Sequence, residues 1–555
     1  MMPALIFLAL LPALLAVEKL SIHPIWLDYD MENIKEPKER KVSYFHSFFK
    51  AQFLEQAKQG LDMPRWIRAA AHKNKRASNI NSVDEVPDSS WYTNRHHLRR
   101  MSMEALVRGP DRGEGPDLGE GSVITRAKME GVTPGLQIKD KRGVTYIIKF
   151  DDGKYPELQS GAEMIVTKIL HAAGYNVPEN YIAYLRPEQL KIGDKVMKGI
   201  AKPRPFVQKD LEDMLYPVAR MEDGSYRVLA SKFLPGKPKG PFPQIGIRLD
   251  DPNDLIPHEH RRELRGLRVI ASWLNHWDMK EDNALDMYVE EDGRKFLRHY
   301  LIDFGSSLGG GLSPWEYFHG RELAMDGANI MKEIFSGGLF ETPDEMKGEF
   351  ISPAMGILSN AEFDAEGWTP SFPVMAFENM TDEDALWGTR IILSFTEPEL
   401  RAIIATGKYS NPADSEYLLK TLLARREIIA RHWLKKVNPI VGFATELREQ
   451  RVVLRFRDLM VEHGLANANS AEYNYEIRYK DRTMEKKSTR NPWIDLTSWL
   501  PTSQNGMRRI EDRREDILEI SIVTVRAQTE RDPVTVRLYH DRTQNQLRVI
   551  GVWRG

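Results

Sequence analysis

Apolar positions in this chain recur at two different periods, and the architecture is expected to change where the period does. Between residues 122 and 234 short β-branched and aromatic runs dominate. Residues 136–139 and 144–150 flank a turn at Lys141-Arg142-Gly143 and read as a β-hairpin, while 181–185, 196–200 and 226–234 read as further strands. A helix lies among them, with Met164, Ile165, Ile169 and Leu170 supplying most of its apolar face. Residues 235–243 are proline-rich and read as a loop. The strongest helical pattern follows at 257–276, where Leu264, Leu267, Ile270, Ala271 and Leu274 form one stripe. Residues 320–437 read as mostly helical, with clear segments at 390–395, 397–405 and 415–435. Beyond 439 the period falls to two. The runs 452–456, 473–479, 518–525, 534–538 and 547–552, separated by polar turns, predict a small β-sandwich of roughly 110 residues.

The first 121 residues are less regular. Residues 1–16 are an almost unbroken apolar run, too short for a comfortable membrane span and of the length of a signal-peptide core. No basic residue precedes it, and Leu14 occupies a position that cleavage after Ala16 would reserve for a small side chain. Export to a periplasmic or extracellular space is expected from this run; if it is not a signal, the chain stays in the cytoplasm. Tyr44, Phe45, Phe48, Phe49 and Phe53 lie at helical spacing and predict an amphipathic helix whose aromatic face docks on the main body as core. From 86 to 121, proline, glycine and charge predict a loop or wrapping segment.

Composition narrows the function classes. With 78 basic and 80 acidic residues among 555, no global field favours nucleic acid or a membrane surface. The absence of cysteine excludes disulfides, thiolate metal sites and cysteine lipidation. The 41% hydrophobic content is that of a globular chain too long for one core. The expected divisions are 1–17 as a signal peptide, 18–121 as an extension packing on the main domain, 122–234 and 235–438 as a small and a large unit, and 439–555 as the β-sandwich.

Candidate chemistry concentrates at 274–305. A helix end delivers a polar loop, and two short strands, turning at Glu291-Asp292-Gly293, return an aspartate to it. Asp278, Lys280, Asn283 and Asp303 stand beside segments that should be buried, where free carboxylates repel one another and resist desolvation. Oxygen ligands from Asn283 and Asp303, completed by phosphate oxygens, suit magnesium.

The sequence His276-Trp277-Asp278-Met279-Lys280-Glu281-Asp282-Asn283 resembles the catalytic loop of protein kinases, and Leu301-Ile302-Asp303-Phe304-Gly305 resembles their metal-binding segment. The resemblance is nearer to divergent branches such as the HipA-like kinases and covers roughly residues 125–435. It implies an α+β, bilobal kinase-like fold ahead of the β-sandwich, and it implies ATP with Mg2+, or Mn2+ in its place. In this reading Lys149 holds the phosphates and pairs with Glu163. His276 supports the loop, Asp278 takes or orients the acceptor hydroxyl's proton, and Lys280 balances phosphoryl charge. Asn283 and Asp303 hold the metal. Gly131 and Gly135 flank a loop over the phosphates without reproducing the family's Gly-x-Gly-x-x-Gly, and the backbone around Phe233 and Leu234 meets adenine. Trp277 stands where many kinases carry an arginine that reads phosphorylation. Gly309-Gly310-Gly311 and residues 313–316 leave little room for an activation loop, and the glycine run is expected to be mobile over the site.

Phosphoryl transfer to an unknown hydroxyl acceptor on protein or small molecule is the leading expectation, and AMP transfer uses the same constellation. The competing class is a non-catalytic pseudokinase or cell-envelope interaction protein whose β-domain binds a protein partner. Arg508, Arg509, Arg513 and Arg514 in that domain read as solvated surface or an anion contact. No stable membrane span is expected in the mature chain. Histidine spacing does not match a zinc hydrolase.

Overall fold

The computed structural model describes residues 23–42, 48–56, 63, 75–127, 135–198, 203–311, 319–343, 348–479, 482–499, 517–541, 544 and 546–555. Residues 1–22, Gly131, Tyr44, Phe45, the 313–316 segment and Arg508, Arg509, Arg513 and Arg514 lie outside these. No helix among the described residues is long and apolar enough to cross a membrane.

The small lobe is a six-stranded sheet. β1 (Ser122–Ala127), β2 (Gly135–Lys139), β3 (Thr145–Phe150), β4 (Asn180–Leu185), β5 (Leu190–Ile192) and β8 (Tyr226–Lys232) lie in the order β4-β8-β3-β2-β1-β5. Between them β6 (Met197–Lys198) and β7 (Arg204–Pro205) form a separate ribbon. Alternation sends Tyr146, Ile148 and Phe150 into the small-lobe core with Ile124, Ile138 and Val228. Helix α1 (Leu158–Ala173) joins β3 to β4, and its Ile165, Ile169 and Leu170 belong to the core of the large lobe instead. One helix is thus shared between the lobes.

The large lobe begins with β9 (Lys237–Pro238), α2 (Arg262–Leu274), and the hairpin of β10 (Ala284–Glu291) and β11 (Arg294–Leu301). Asp292 and Gly293 both have positive φ (49° and 76°), as a tight two-residue hairpin turn requires. Helices α3 (Asp382–Leu393), α4 (Glu397–Ala405) and α5 (Pro412–Trp433) complete it around Trp273, Trp387 and Leu422. The stretch 319–374 is not mostly helical as expected. Apart from Gly327–Phe335 it runs as turns, because Gly337, Gly338, Pro343, Pro353, Pro370 and Pro373 interrupt it too often for a helix to propagate.

The C-terminal β-domain stacks two sheets. One is β12 (Ile440–Arg448), β13 (Arg451–Asp458) and β16 (Trp493–Asp495). The other is ordered β15-β14-β17-β19-β20: β14 (Ala471–Tyr479), β15 (Arg482–Thr489), β17 (Ile517–Arg526), β19 (Val534–Asp541) and β20 (Gln546–Arg554), with β18 (Thr529–Glu530) on β17. Leu454, Phe456, Ile477, Ile520, Val536 and Leu538 fill the space between them. The architecture is α+β: a bilobal body followed by an all-β domain.

The N-terminal extension departs from expectation twice. The 86–92 stretch does not merely wrap; Val86, Trp91 and Tyr92 are core residues, and Trp91 stacks on His299 with ring centroids 3.6 Å apart. Conversely, the aromatic face of the 48–53 turn is only partly covered, with Phe48 edge-on to Phe372 at 6.0 Å. Phe49 and Phe53 stack on each other but remain 55% and 42% exposed, while Gln52 is buried and donates to the Ser371 carbonyl at 2.8 Å. The turn Lys50–Glu55 is π-helical, and the wider turn displaces the i, i+4 stripe that the sequence pattern assumes.

Candidate active site

Strand β3 carries Lys149 on the face opposite its core residues, pointing away from the small-lobe interior. Its ammonium lies 2.9 Å from Glu163 Oε2 and 2.9 Å from Asp303 Oδ1, bridging two carboxylates from α1 and from the turn after β11. Glu163 is 3% exposed, so its partner must be charged for the carboxylate to persist there. Burial pushes Lys149 down, but the Asp303 and Glu163 charges outweigh it and hold the ammonium above the ordinary lysine value. Burial pushes Glu163 up, with Lys149 opposing. The ammonium is fixed in place and charged.

The loop after α2 is built around a left-handed residue. Asn275 (φ 47°) ends the helix, and its side-chain oxygen accepts from Trp368 Nε1 at 2.9 Å. His276 then turns inward, with Nδ1 2.9 Å from Ser307 Oγ and its ring edge-on to Phe304. Burial lowers its pKa, so the imidazole is neutral at pH 7 and acts as a strut. The Asp278 carboxylate sits 2.8 Å from Lys280 Nζ, and Asn283 Nδ2 donates to the Asp278 carbonyl at 2.7 Å. Ile302 N–H donates to the Asn283 carbonyl at 3.0 Å, which ties the loop to the segment carrying Asp303. Asp303 itself has φ 67°, a conformation that costs a non-glycine residue about 1 kcal/mol and is held by the surrounding bonds. Its side chain is half exposed toward the cleft.

These residues fit a divalent cation by donor chemistry. Asn283 uses its amide nitrogen on Asp278, which leaves an oxygen as its acceptor, and Asp303 contributes carboxylate oxygen. Both are hard donors of the kind magnesium and manganese take. Gly135 pairs directly with Lys149 across the β2–β3 ladder.

At the linker the Phe233 N–H donates to Thr145 O at 3.0 Å, because β8 keeps pairing with the β3 strand one residue past its end. Leu234 packs against the β10–β11 hairpin. The Gly309–Gly311 run, expected to be mobile over the site, is packed into the body. Gly310 and Gly311 are buried, Trp277 Nε1 donates to Gly310 O at 3.0 Å, and Gln159 reaches Gly311 O at 3.3 Å. Glycine is required at 309 and 310 because the neighbouring backbone leaves no room for a side chain.

No protein-family model matches this chain, and no curated protein matches it. Among solved structures, the Helicobacter pylori proinflammatory kinase CtkA is similar over 56% of this chain and 96% of its own, at 11% identity and a TM-score of 0.27. The Golgi casein kinase with Mn and ADP bound is similar over 75% and 98%, at 12% identity and a TM-score of 0.23. At such scores overall likeness decides nothing, and the side-chain geometry of the cleft is what bears on function.

Sequence reasoning missed three contributors. Ser307, two residues past Gly305, props His276; its position so close to the motif was the available signal. His319 stacks on Trp277 at 4.2 Å beside Asp278, and nothing in its sequence surroundings marks it. Glu281, read as a charged loop residue, is buried and paired with Arg40 and Lys50 of the extension.

Proposed function

We propose that this protein is a divergent kinase-like phosphotransferase that moves a phosphoryl group from ATP to a hydroxyl acceptor. The observation that carries this reading is the Lys149 bridge. Glu163, Lys149 and Asp303 come from three separate elements, with Lys149 and Asp303 154 positions apart, and meet at 2.9 Å. A fold with no use for a phosphate ligand gains nothing from a buried Glu–Lys pair opened to a half-exposed aspartate. When bound, the nucleotide and its divalent cation would supply the phosphoryl group and screen its charge. Lys149 would hold phosphate oxygens, with Glu163 fixing its orientation, and Asn283 and Asp303 would hold the cation. Asp278, fixed by Lys280 and by the Asn283 contact to its own carbonyl, is the base that orients the acceptor hydroxyl and takes its proton. Positioning and charge supply most of the rate in this chemistry.

The test is a melting-temperature titration with ATP and Mg2+ or Mn2+, joined to transfer of label from the γ-position. Binding at a hundred times Kd should stabilise the fold by about 2.7 kcal/mol. Asp303→Ala should remove the metal-dependent part, and Asp278→Asn should leave binding intact while slowing transfer roughly a hundredfold or more. Binding without transfer would select the non-catalytic reading; transfer only from the α-label would select adenylylation.

A further inference from the structure

A second recess, of about 260 Å³, lies against the linker between the lobes, with Phe233, Leu234 and Pro235 as one wall. None of Lys149, Glu163, Asp278, Asn283 and Asp303 lines it. Its other walls come from every part of the body. Arg95 and Arg112 belong to the extension, His171 to the last turn of α1, Lys232 to the end of β8, and Arg298 to β11. Four cations (Arg95, Arg112, Lys232, Arg298) face two carboxylates (Glu179, Glu291), which leaves two positive charges in excess.

The pairing within the recess is uneven. Lys232 is matched to Glu179 at 3.0 Å and Arg298 to Glu291 at 2.8 Å. Arg95 uses Nη1 on the carbonyls of His171 and Tyr175, at 2.8 and 3.1 Å. Arg112 offers only its backbone N–H, to Glu179 at 3.2 Å. Neither guanidinium has a carboxylate in an ion pair among the described residues. Burial lowers the Arg95 pKa to about 10; the like charges of Arg298 and Arg112 add to the effect, while Tyr92 and Asp88 oppose it. His171 is pushed by burial, and then by Arg95, Lys168 and Arg112, down to about 3, so it is neutral and adds no charge of its own. Uncompensated guanidinium groups brought together in a recess are unfavourable by themselves, and an oxyanion between them removes the repulsion while accepting their forked N–H donors.

We propose that this recess binds a doubly charged phosphoryl group, either free phosphate or that of a small phosphate ester. The volume accommodates such a group and excludes a folded partner. Because the recess is walled by the extension, both lobes and the linker, the bound anion ties them together and biases the angle at which the lobes close. This site shares the linker residues Phe233 and Leu234 with the expected adenine contact but none of the phosphotransfer side chains, and it does not depend on that reading.

The test is the melting temperature of the full chain titrated with sodium phosphate, with sodium chloride at matched ionic strength as control. Glucose 6-phosphate forms a parallel arm that separates ester from free phosphate. A saturable rise beyond the chloride control is expected. Arg112→Gln, at an exposed side chain that folding does not need, should weaken the apparent affinity about tenfold, as should Arg298→Gln. Lys149→Met, which disables the cleft, should leave it unchanged. The proposal fails if phosphate gives no saturable rise over chloride. It fails equally if the rise survives in both arginine variants and disappears in Lys149→Met, which would put the anion in the cleft.

Discussion

Burial holds His97 and His171 down to about pH 3 and lowers His276 and His319 as well. In the unfolded chain each imidazole takes up a proton near pH 6.5, whereas the folded protein takes it up only at lower pH, about 3 for His97 and His171. The stabilisation is therefore complete above pH 6.5 and is lost as pH falls, by about 1.4 kcal/mol per pH unit for each fully neutral histidine. Urea unfolding measured between pH 7 and pH 5 should show stability falling steeply toward acid. His171→Gln should make the slope shallower by about 1.4 kcal/mol per pH unit. An unchanged slope would mean that His171 protonates freely in the folded state. Single positions of this kind were not legible beforehand, since an imidazole's pKa depends on which cations the fold places around it.

At the scale of elements, the glycine run after the Asp303 turn is packed as a plug. A Cβ at Gly309 (φ +91°) would lie 2.2 Å from the Met355 carbonyl oxygen, whereas one at Gly337 (φ +67°) would meet open space. Gly309→Ala should cost about 3 kcal/mol, from strain plus displaced backbone, and Gly337→Ala about 1 kcal/mol from conformation alone. Denaturation midpoints of the two variants check the ordering; equal losses would show that the run can move aside. Strands β2, β3, β14, β17 and β19 were legible because one face of each is buried and the period-two signal survives. β12 was not, since its residues beyond Val441 are half-exposed or exposed and the alternation is blurred. In the site, the loop from His276 to Asn283 and the aspartate at 303 could be read from residue types and spacing. The glycine run was read as mobile because composition records flexibility in the unfolded chain, not the packing that removes it.

Across the whole molecule, Asp84 of the extension joins parts that are distant in sequence. Its Oδ1 lies 2.7 Å from Arg262 of α2, and its Oδ2 lies 2.8 Å from Arg554 at the end of β20. Arg262 continues to Asp384 at the start of α3 at 3.0 Å. Burial would raise the Asp84 carboxyl, but Arg262, Arg554 and Arg76 prevail and hold it below the usual range. Removing it leaves buried Arg554 without a carboxylate and Arg262 with Asp384 alone, so Asp84→Ala should destabilise the protein by about 3 kcal/mol. Limited proteolysis should then cut near residue 439, where the large lobe meets the β-domain. If the variant resists cleavage as well as the parent does, the β-domain is held by its apolar contacts alone.

The sequence by itself determined what is local: the hairpin turn at Asp292-Gly293, the apolar face of α2, the period of most β-domain strands, and the order in which the charged residues of the cleft follow one another. Those follow from side-chain spacing and backbone preference, which act over a few residues. Only the tertiary structure decided that Lys149 lies between Glu163 and Asp303, that Phe49 and Phe53 stay exposed while Trp91 is buried, and that Arg95, Arg112 and Arg298 share one recess. Each of these turns on desolvation and charge pairing between segments far apart in the chain, and no local pattern encodes which segments meet.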